Sequence, residues 1–194
     1  RAGAEAVCHR RLDAPPRSYF TEADLALVES IEDPHHRTFA AITLMLDNGM
    51  RSVVASSIDQ GTYPNTIFVV ASDNGGCSLS GGYNWPLRGG KQYLYEGGIR
   101  VNAFVHSALI PMERRGSWYD GLFHVSDWLP TIVAGALRMN SSNPLPSDLD
   151  GVDQWRALLG QTDQPRSEIL HNIDLWQVAH GSDSNLTELY MPIQ

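Results

Sequence analysis

A helix handed directly to a strand is the feature that most limits how this chain can fold. From about His35 to Gln60 apolar residues recur at helical spacing: Phe39, Ile42, Leu46, Met50, Val53, Val54 and Ile58. Gly49 weakens that helix locally without ending it, Gly61 stands where a C-cap is expected, and Pro64 follows. Next comes Thr66-Ile67-Phe68-Val69-Val70-Ala71, short, apolar and rich in β-branched residues. It reads as a buried strand of a covered parallel sheet, and helix followed by strand is half of a βαβ unit. A second apolar run at 99–105 predicts another strand. Ser126-Asp127-Trp128-Leu129-Pro130 opens a helix to about Ala136. After a Pro- and Asp-rich segment at 143–150, a short helix is expected at 152–159 and a strand at 168–173. The fold class is α/β, with a change of character near Thr162.

The 194 residues suffice for one good-sized domain, or for a core plus part of a second. The net charge of −8 argues against nucleic acid or an anionic membrane as the main partner. A small anionic ligand stays open, because a few local cations outweigh a distant negative surface. No apolar run is long enough to span a bilayer. The chain starts at Arg1 without a signal peptide, so a leader removed earlier or a fragment is expected. Cys8 and Cys77 could pair, stay free or each have lost a partner. The sequons at Asn140 and Asn185 lean toward a secretory route.

The strand at 66–71 runs into SDNGGCSLSGGYNWPLRGGKQYLYEGGIR, residues 72–100. Flexible linkers do not usually spend Trp85, Tyr93 and Tyr95. In open α/β sheets, ligands collect outside the carboxyl ends of strands, where Asp73 and Asn74 fall. Those side chains offer only oxygen to a cation, which suits calcium or magnesium. Taken alone, Asp-Asn-Gly is better read as an Asx turn, since it is good turn chemistry in itself. Lys91, inside a glycine-rich turn, can present its ammonium to an anion or simply be solvated. Gly89-Gly90-Lys91 is not a P-loop, since no Ser or Thr follows. Arg88 and Arg100 could join Lys91, with Glu96 a ready partner for either.

The blocks "DNGG" and "NWPLRGGKQYLYEGGIR", followed in order by "FHVSDWLPTIV" and "EILHNID", resemble the sulfatase family of the alkaline-phosphatase-like superfamily. The arylsulfatase B-like branch is the most similar, and the resemblance covers most of residues 39–174. It implies a mixed sheet flanked by helices, with the amino-terminal part missing. Residues 1–161 would be the carboxyl-side part of the catalytic domain and 162–194 the start of a smaller C-terminal domain. It implies that Asp73 and Asn74 are calcium ligands and that Lys91 holds the substrate sulfate and stabilises the leaving group. His9 is a further candidate for sulfate contact, in His9-Arg10-Arg11-Leu12-Asp13-Ala14-Pro15. Leucine and the later proline fit the family's run, whereas Arg11 replaces its first proline. His124, His171 and the pair His35-His36 read as structural or solvent-facing.

Family catalysis uses a formylglycine made from the cysteine of Cys-x-Pro-Ser-Arg, and no such motif occurs here. Cys77-Ser78-Leu79-Ser80-Gly81 lacks its proline and arginine and follows the presumed calcium pair rather than preceding it. The family's first acidic pair of ligands is absent as well. Calcium takes about six to eight oxygens, so its shell is incomplete in these residues. The resemblance therefore implies a fragment of a calcium- and formylglycine-dependent sulfuric ester hydrolase, itself inactive. Its substrate would be a sulfated small molecule or glycan, and its location lysosomal or secreted. A phosphoester hydrolase of the same superfamily and a degenerate protein that binds sulfated glycans are the alternatives.

Overall fold

The computed structural model describes residues 20–138 and 145–171. The described residues divide into two compact units, one within residues 20–105 and one within 106–171.

In the first unit, helix α1 (Glu22–Val28) starts at a reciprocal cap: Thr21 accepts from the Asp24 backbone N–H while Asp24 accepts from that of Thr21. Helix α2 (Pro34–Asp59) matches the expected long helix. Asp33 caps it by accepting from the His36 backbone N–H at 2.7 Å, and Pro34 occupies the first turn, where no N–H is needed. Gly61, at φ 68°, turns the chain away after it. A 3-10 turn (Tyr63–Asn65) leads into strand β1 (Ile67–Ala71), with the rings of Tyr63 and Phe68 5.9 Å apart. Ala41 is buried, while Leu46, Val53 and Ile58 on the same helix stay exposed.

Strand β1 pairs with β2 (Ala103–Ser107) in a two-stranded sheet. Ser72, directly after β1, donates its backbone N–H to the carbonyl of Asn102, directly before β2, at 3.0 Å. The end of one strand therefore meets the start of the other, and the pair runs antiparallel, not parallel as expected. Strand β1 is half-buried rather than covered on both faces. The strand expected at 99–105 begins later. Residues Glu96–Ile99 form helix α3, a single turn, because Gly97 donates to the carbonyl of Arg88 at 2.7 Å and Arg100 to that of Glu96 at 2.8 Å.

In the second unit the helix expected from Ser126 changes pitch twice. A 3-10 turn (Val125–Asp127) passes into one α turn, α4 (Trp128–Pro130), and then a π turn (Thr131–Ala136). Pro130 has no N–H to give a regular α ladder, and the bond from Leu137 N–H to the carbonyl of Ile132 at 2.9 Å closes the wider turn. Helix α5 (Trp155–Leu158) is shorter than expected and buries Trp155 and Ala157. Residues 168–171 are not a strand, since Glu168 gives its carbonyl to the Arg166 guanidinium at 3.4 Å; residues 172–173 lie outside the described residues.

Asp127, fully buried, organises this unit. Its carboxylate accepts from Arg166 Nε at 3.0 Å and Nη2 at 2.5 Å, from the backbone N–H of His124 at 2.8 Å and of Val152 at 2.9 Å, and from Gln154 Nε2 at 3.1 Å. Gln154, also fully buried, donates to the carbonyl of Leu122 at 2.9 Å and accepts from the Tyr119 hydroxyl at 2.8 Å. Burial pushes the Asp127 carboxyl up, but the Arg166 guanidinium and the other donors outweigh it and hold the group below the usual carboxylate range. A depressed folded value contributes stability that is complete above the unfolded value of about 3.9 and is lost as pH falls through the lower folded value. Asp127→Asn should therefore cost about 3 kcal/mol at neutral pH, because it leaves Arg166 without its counter-charge. Urea unfolding of both proteins from pH 7 downward should show the gap narrowing only below about pH 4; a gap independent of pH would show that the charge is not what stabilises the unit.

Candidate active-site loop

The segment from Ser72 to Arg100 folds back on itself around one residue, Gly76. Gly76 donates its N–H to Asn84 Oδ1 at 2.8 Å. Its carbonyl oxygen accepts from Asn84 Nδ2 at 2.8 Å and from the Lys91 backbone N–H at 3.2 Å. The same Asn84 amide donates to the carbonyl of Gly89 at 3.2 Å. One side-chain amide thus gives an acceptor and a donor to one residue, as a neighbouring strand would.

Close approach explains the glycines. Gly75 donates to the carbonyl of Gly98 at 2.9 Å, and a Cβ on Gly75 would stand 1.7 Å from the Gly97 oxygen. Gly81, at φ 85°, is buried against the first turn of α2, where His36 Nδ1 lies 2.8 Å from its carbonyl oxygen. His36 is therefore structural, as expected, and its ring also meets that of Tyr83 edge-on at 6.0 Å. His124 Nδ1 bonds the Ser126 hydroxyl at 2.8 Å in a local cap, and His171 is exposed.

Asp73 and Asn74 lie directly beyond the carboxyl end of β1, as the sequence predicts. Asp73 Oδ1 accepts from the Asn74 backbone N–H at 2.9 Å, and the Ser72 hydroxyl donates to the Asn74 carbonyl at 2.9 Å. Asp73 is exposed and Asn74 half-buried. Both side chains carry the hard oxygen donors that suit calcium, but they form only part of a shell. Among the described residues no three His, Cys, Asp or Glu side chains gather as a metal cluster.

Lys91 is half-buried, and its backbone bond to Gly76 brings its turn back beside the Asp73-Asn74 segment. Tyr93 donates to the carbonyl of Gly90 at 3.0 Å, closing a turn in which Gln92 takes φ 82°. A left-handed residue at the third position is the mark of a type II turn and places Lys91 at its second. Among the described residues Lys91 makes no ion pair, whereas Glu96 is taken by Arg100 at 3.4 Å and Arg88 lies 4.0 Å over the Tyr95 ring. The structure thus separates the three cations, leaving Lys91 as the one without an anionic or aromatic partner. His9 and Cys8 lie outside the described residues. Cys77 is disulfide-bonded and offers no thiol nucleophile.

Asn84 is the residue that sequence reading missed. Its signal was an amide set among glycines, since Asn side chains readily imitate backbone groups. Asn84→Ala should leave the Gly76 N–H without its acceptor, at a cost of about 1–3 kcal/mol. Hydrogen exchange of the Gly76 and Lys91 amides should quicken by at least about tenfold, matching local opening that is easier by some 1.4 kcal/mol or more. Unchanged exchange at both amides would show that the clamp does not hold the loop.

The chain matches known proteins over most of its length. A model of the Sulfatase family matches residues 10–136. Arylsulfatase J of Mus musculus is 39% identical over 166 residues, which are 86% of this chain and 26% of the relative. The chain thus spans about a quarter of that relative's length. Among solved structures, Ps i-CgsB in complex with k-i-k-neocarrahexaose superposes with a TM-score of 0.62 at 29% identity, over 76% of this chain and 32% of that one. A second crystal structure, of Ps i-CgsB, gives a TM-score of 0.62 at 30% identity, over 73% of this chain and 30% of that one. These likenesses bear out an α/β, alkaline-phosphatase-like fold. On the match to residues 10–136 and the 39% identity, the chain belongs to the sulfatase family.

Proposed function

We propose that this chain is part of a sulfuric ester hydrolase of arylsulfatase type, and that the loop around Gly76 is the part of its active site that meets the sulfate. The observation that carries this reading is the return of Lys91 to the Gly76 carbonyl at 3.2 Å, beside the paired oxygen donors Asp73 and Asn74. An oxygen-ligand pair and an uncommitted ammonium on one clamped loop suit a tetrahedral sulfate monoester, an anion whose departing oxygen gains charge as its bond to sulfur breaks. Asp73 and Asn74 would hold calcium. When bound, that ion would draw charge from the sulfate oxygens. Lys91 would orient the sulfate and steady the negative charge on the departing oxygen. The nucleophile, a formylglycine in this family, would come from residues other than these 194, which contain no Cys-x-Pro-Ser-Arg.

The substrate class we assign is a sulfated glycan or aryl sulfate; a structural neighbour is described in complex with an oligosaccharide, k-i-k-neocarrahexaose. Residues 1–161 would belong to the catalytic domain and 162–194 to a smaller C-terminal one. His9 would be a further sulfate contact. The disulfide at Cys77 and the sequons at Asn140 and Asn185 support a secreted or lysosomal location. No helix among the described residues is long and apolar enough to cross a membrane.

In the full-length protein, Lys91→Ala should lower kcat/KM on an aryl sulfate by about 10²-fold or more, as loss of a charge-stabilising group does. Asp73→Ala should weaken calcium binding measured by titration calorimetry, and chelation should remove turnover. Turnover on a matched phosphate ester but not the sulfate ester would replace sulfuric with phosphoric ester hydrolysis. Calcium-independent binding without turnover of either ester would leave a glycan-binding protein.

Expressed by themselves, the 194 residues should not turn over an aryl sulfate. Hydrolysis above the rate of a Lys91→Ala control would place a nucleophile within them. Cys77→Ala in the full-length protein should leave formylglycine content unchanged, as read by mass spectrometry.

A further inference from the structure

Cys77 follows the clamped Gly76 directly, and its sulfur is already taken. It is disulfide-bonded, and no described cysteine is free. The 194 residues contain two cysteines, and the other is Cys8, outside the described residues. A bond made by Cys77 within this chain therefore has one available partner.

The anchor at Cys77 is held on both sides. Before it, the N–H and the carbonyl of Gly76 both bond the Asn84 amide at 2.8 Å. After it, the Cys77 carbonyl accepts from the backbone N–H groups of Ser80 at 3.0 Å and Gly82 at 2.9 Å. Packing there is close: a Cβ on Gly82 would stand 2.7 Å from the Cys77 nitrogen. The Cys77 backbone thus has little freedom to follow its partner. Cys8, by contrast, lies in a run whose arginines and Pro15-Pro16 show no helical or strand periodicity. Bonding the two closes residues 8–77 into one loop, and long loops are those whose unfolded chains lose most freedom on cross-linking.

We propose that Cys77 is bonded to Cys8, and that this bond is a covalent tie holding His9, the next residue, at the clamped loop. Two thiols give up two protons and two electrons as the S–S bond forms. A protein disulfide of an oxidising compartment takes them by thiol–disulfide exchange. Bonded cysteines keep their Cα atoms about 4.4–6.8 Å apart, and neighbouring Cα atoms are about 3.8 Å apart. Covalent geometry by itself then keeps the His9 Cα within about 11 Å of the Cys77 Cα. Asp73, Asn74 and Lys91 stand on the same loop. Cys77 is in this sense a positioning residue, acting through Cys8 on His9. The part assigned to His9 rests on the reading of the loop as a sulfate site, whereas the bond does not.

The test uses the full-length protein. Trypsin cuts after Arg1, Arg10, Arg51 and Arg88, so a digest made without reductant should contain residues 2–10 joined to residues 52–88. Mass spectrometry should show the pair, and a reductant should split it. A free thiol at either cysteine before reduction, or Cys77 joined to a cysteine outside these 194 residues, would overturn the pairing. This arm needs no turnover, so its outcome is separate from that of the sulfate reading. The second arm reads kcat/KM on an aryl sulfate. Cys8→Ser, Cys77→Ser and the double variant should all lose the same factor, about tenfold or more, since a misplaced contact group can cost that much. His9→Ala added to Cys8→Ser should cost little further, because the two changes remove one interaction. Should the serine variants not fold, Cys8→Ala with Cys77→Val, which brings no hydroxyl, takes their place. Losses that simply multiply, or wild-type turnover in Cys8→Ser, would overturn the positioning of His9. Linked peptides in a protein that turns over neither a sulfate nor a phosphate ester would uphold the tie while removing the hydrolase reading.

Discussion

A single residue, Gly76, carries the organisation of the candidate site. Its N–H and carbonyl are both taken by the Asn84 side chain, and its oxygen is shared with the Lys91 N–H. Buried or half-buried backbone groups must find partners, and here the partners come from 8 residues on, as well as from the Lys91 turn. Together with the Gly75–Gly98 and Gly97–Arg88 bonds, this clamp removes chain freedom from the long excursion between β1 and β2. With it, the metal-type donors at Asp73 and Asn74 and the cation at Lys91 belong to one folded piece. The buried Asp127 plays a comparable part in the second unit, but through charge: a carboxylate with five donors fixes segments that carry almost no regular structure. The two devices differ in what defeats them. Acid weakens the second, whereas the first has no titrating member.

Sequence reading found what depends on periodicity and on local chemistry. Helix α2 and strand β1 were legible because their apolar residues repeat at distinct spacings, and the place of Asp73-Asn74 just beyond β1 followed from where the apolar run ends. The direction of β2 was not legible. Strand pairing is decided by the bond between Ser72 and Asn102, which no local pattern announces. The late start of β2 has the same origin: Ile99 is apolar enough for a strand, yet contact of Gly97 with the carbonyls of Arg88 and Gly89 bends it into a turn. Near Pro130 a proline-opened helix was foreseen but not its change of pitch, because the missing N–H is met by rearrangement further on. A strand was expected over 168–173, but at 168–171 the chain is irregular and the Glu168 carbonyl accepts from Arg166, two residues back.

The aromatic residues were noticed as unlike a linker, but composition could not sort them. Tyr95 lies under the Arg88 guanidinium and Tyr83 touches His36 edge-on, while Trp85 and Tyr93 have no ring or cation partner among the described residues. The same sorting applies to the cations. Arg100 pairs with Glu96 one turn away and Arg88 lies over a ring face, so that of three basic residues within 13 positions Lys91 alone has neither kind of partner among the described residues. Selection by subtraction of this kind is a property of folded geometry, and it turns a basic, aromatic loop into a directional site.

The Gly75 N–H given to Gly98 has a bearing on chemical ageing. An asparagine followed by glycine is the pair most open to deamidation, because a glycine nitrogen attacks the preceding side-chain amide with no Cβ in the way. Asn74-Gly75 is such a pair. Here the attacking nitrogen is tied to the Gly98 carbonyl at 2.9 Å, in a place too tight for the loop to rotate without first opening. The backbone bond that holds the loop shut is therefore also what keeps Asn74 an amide, so the lifetime of the candidate ligand is set by how often the fold breathes.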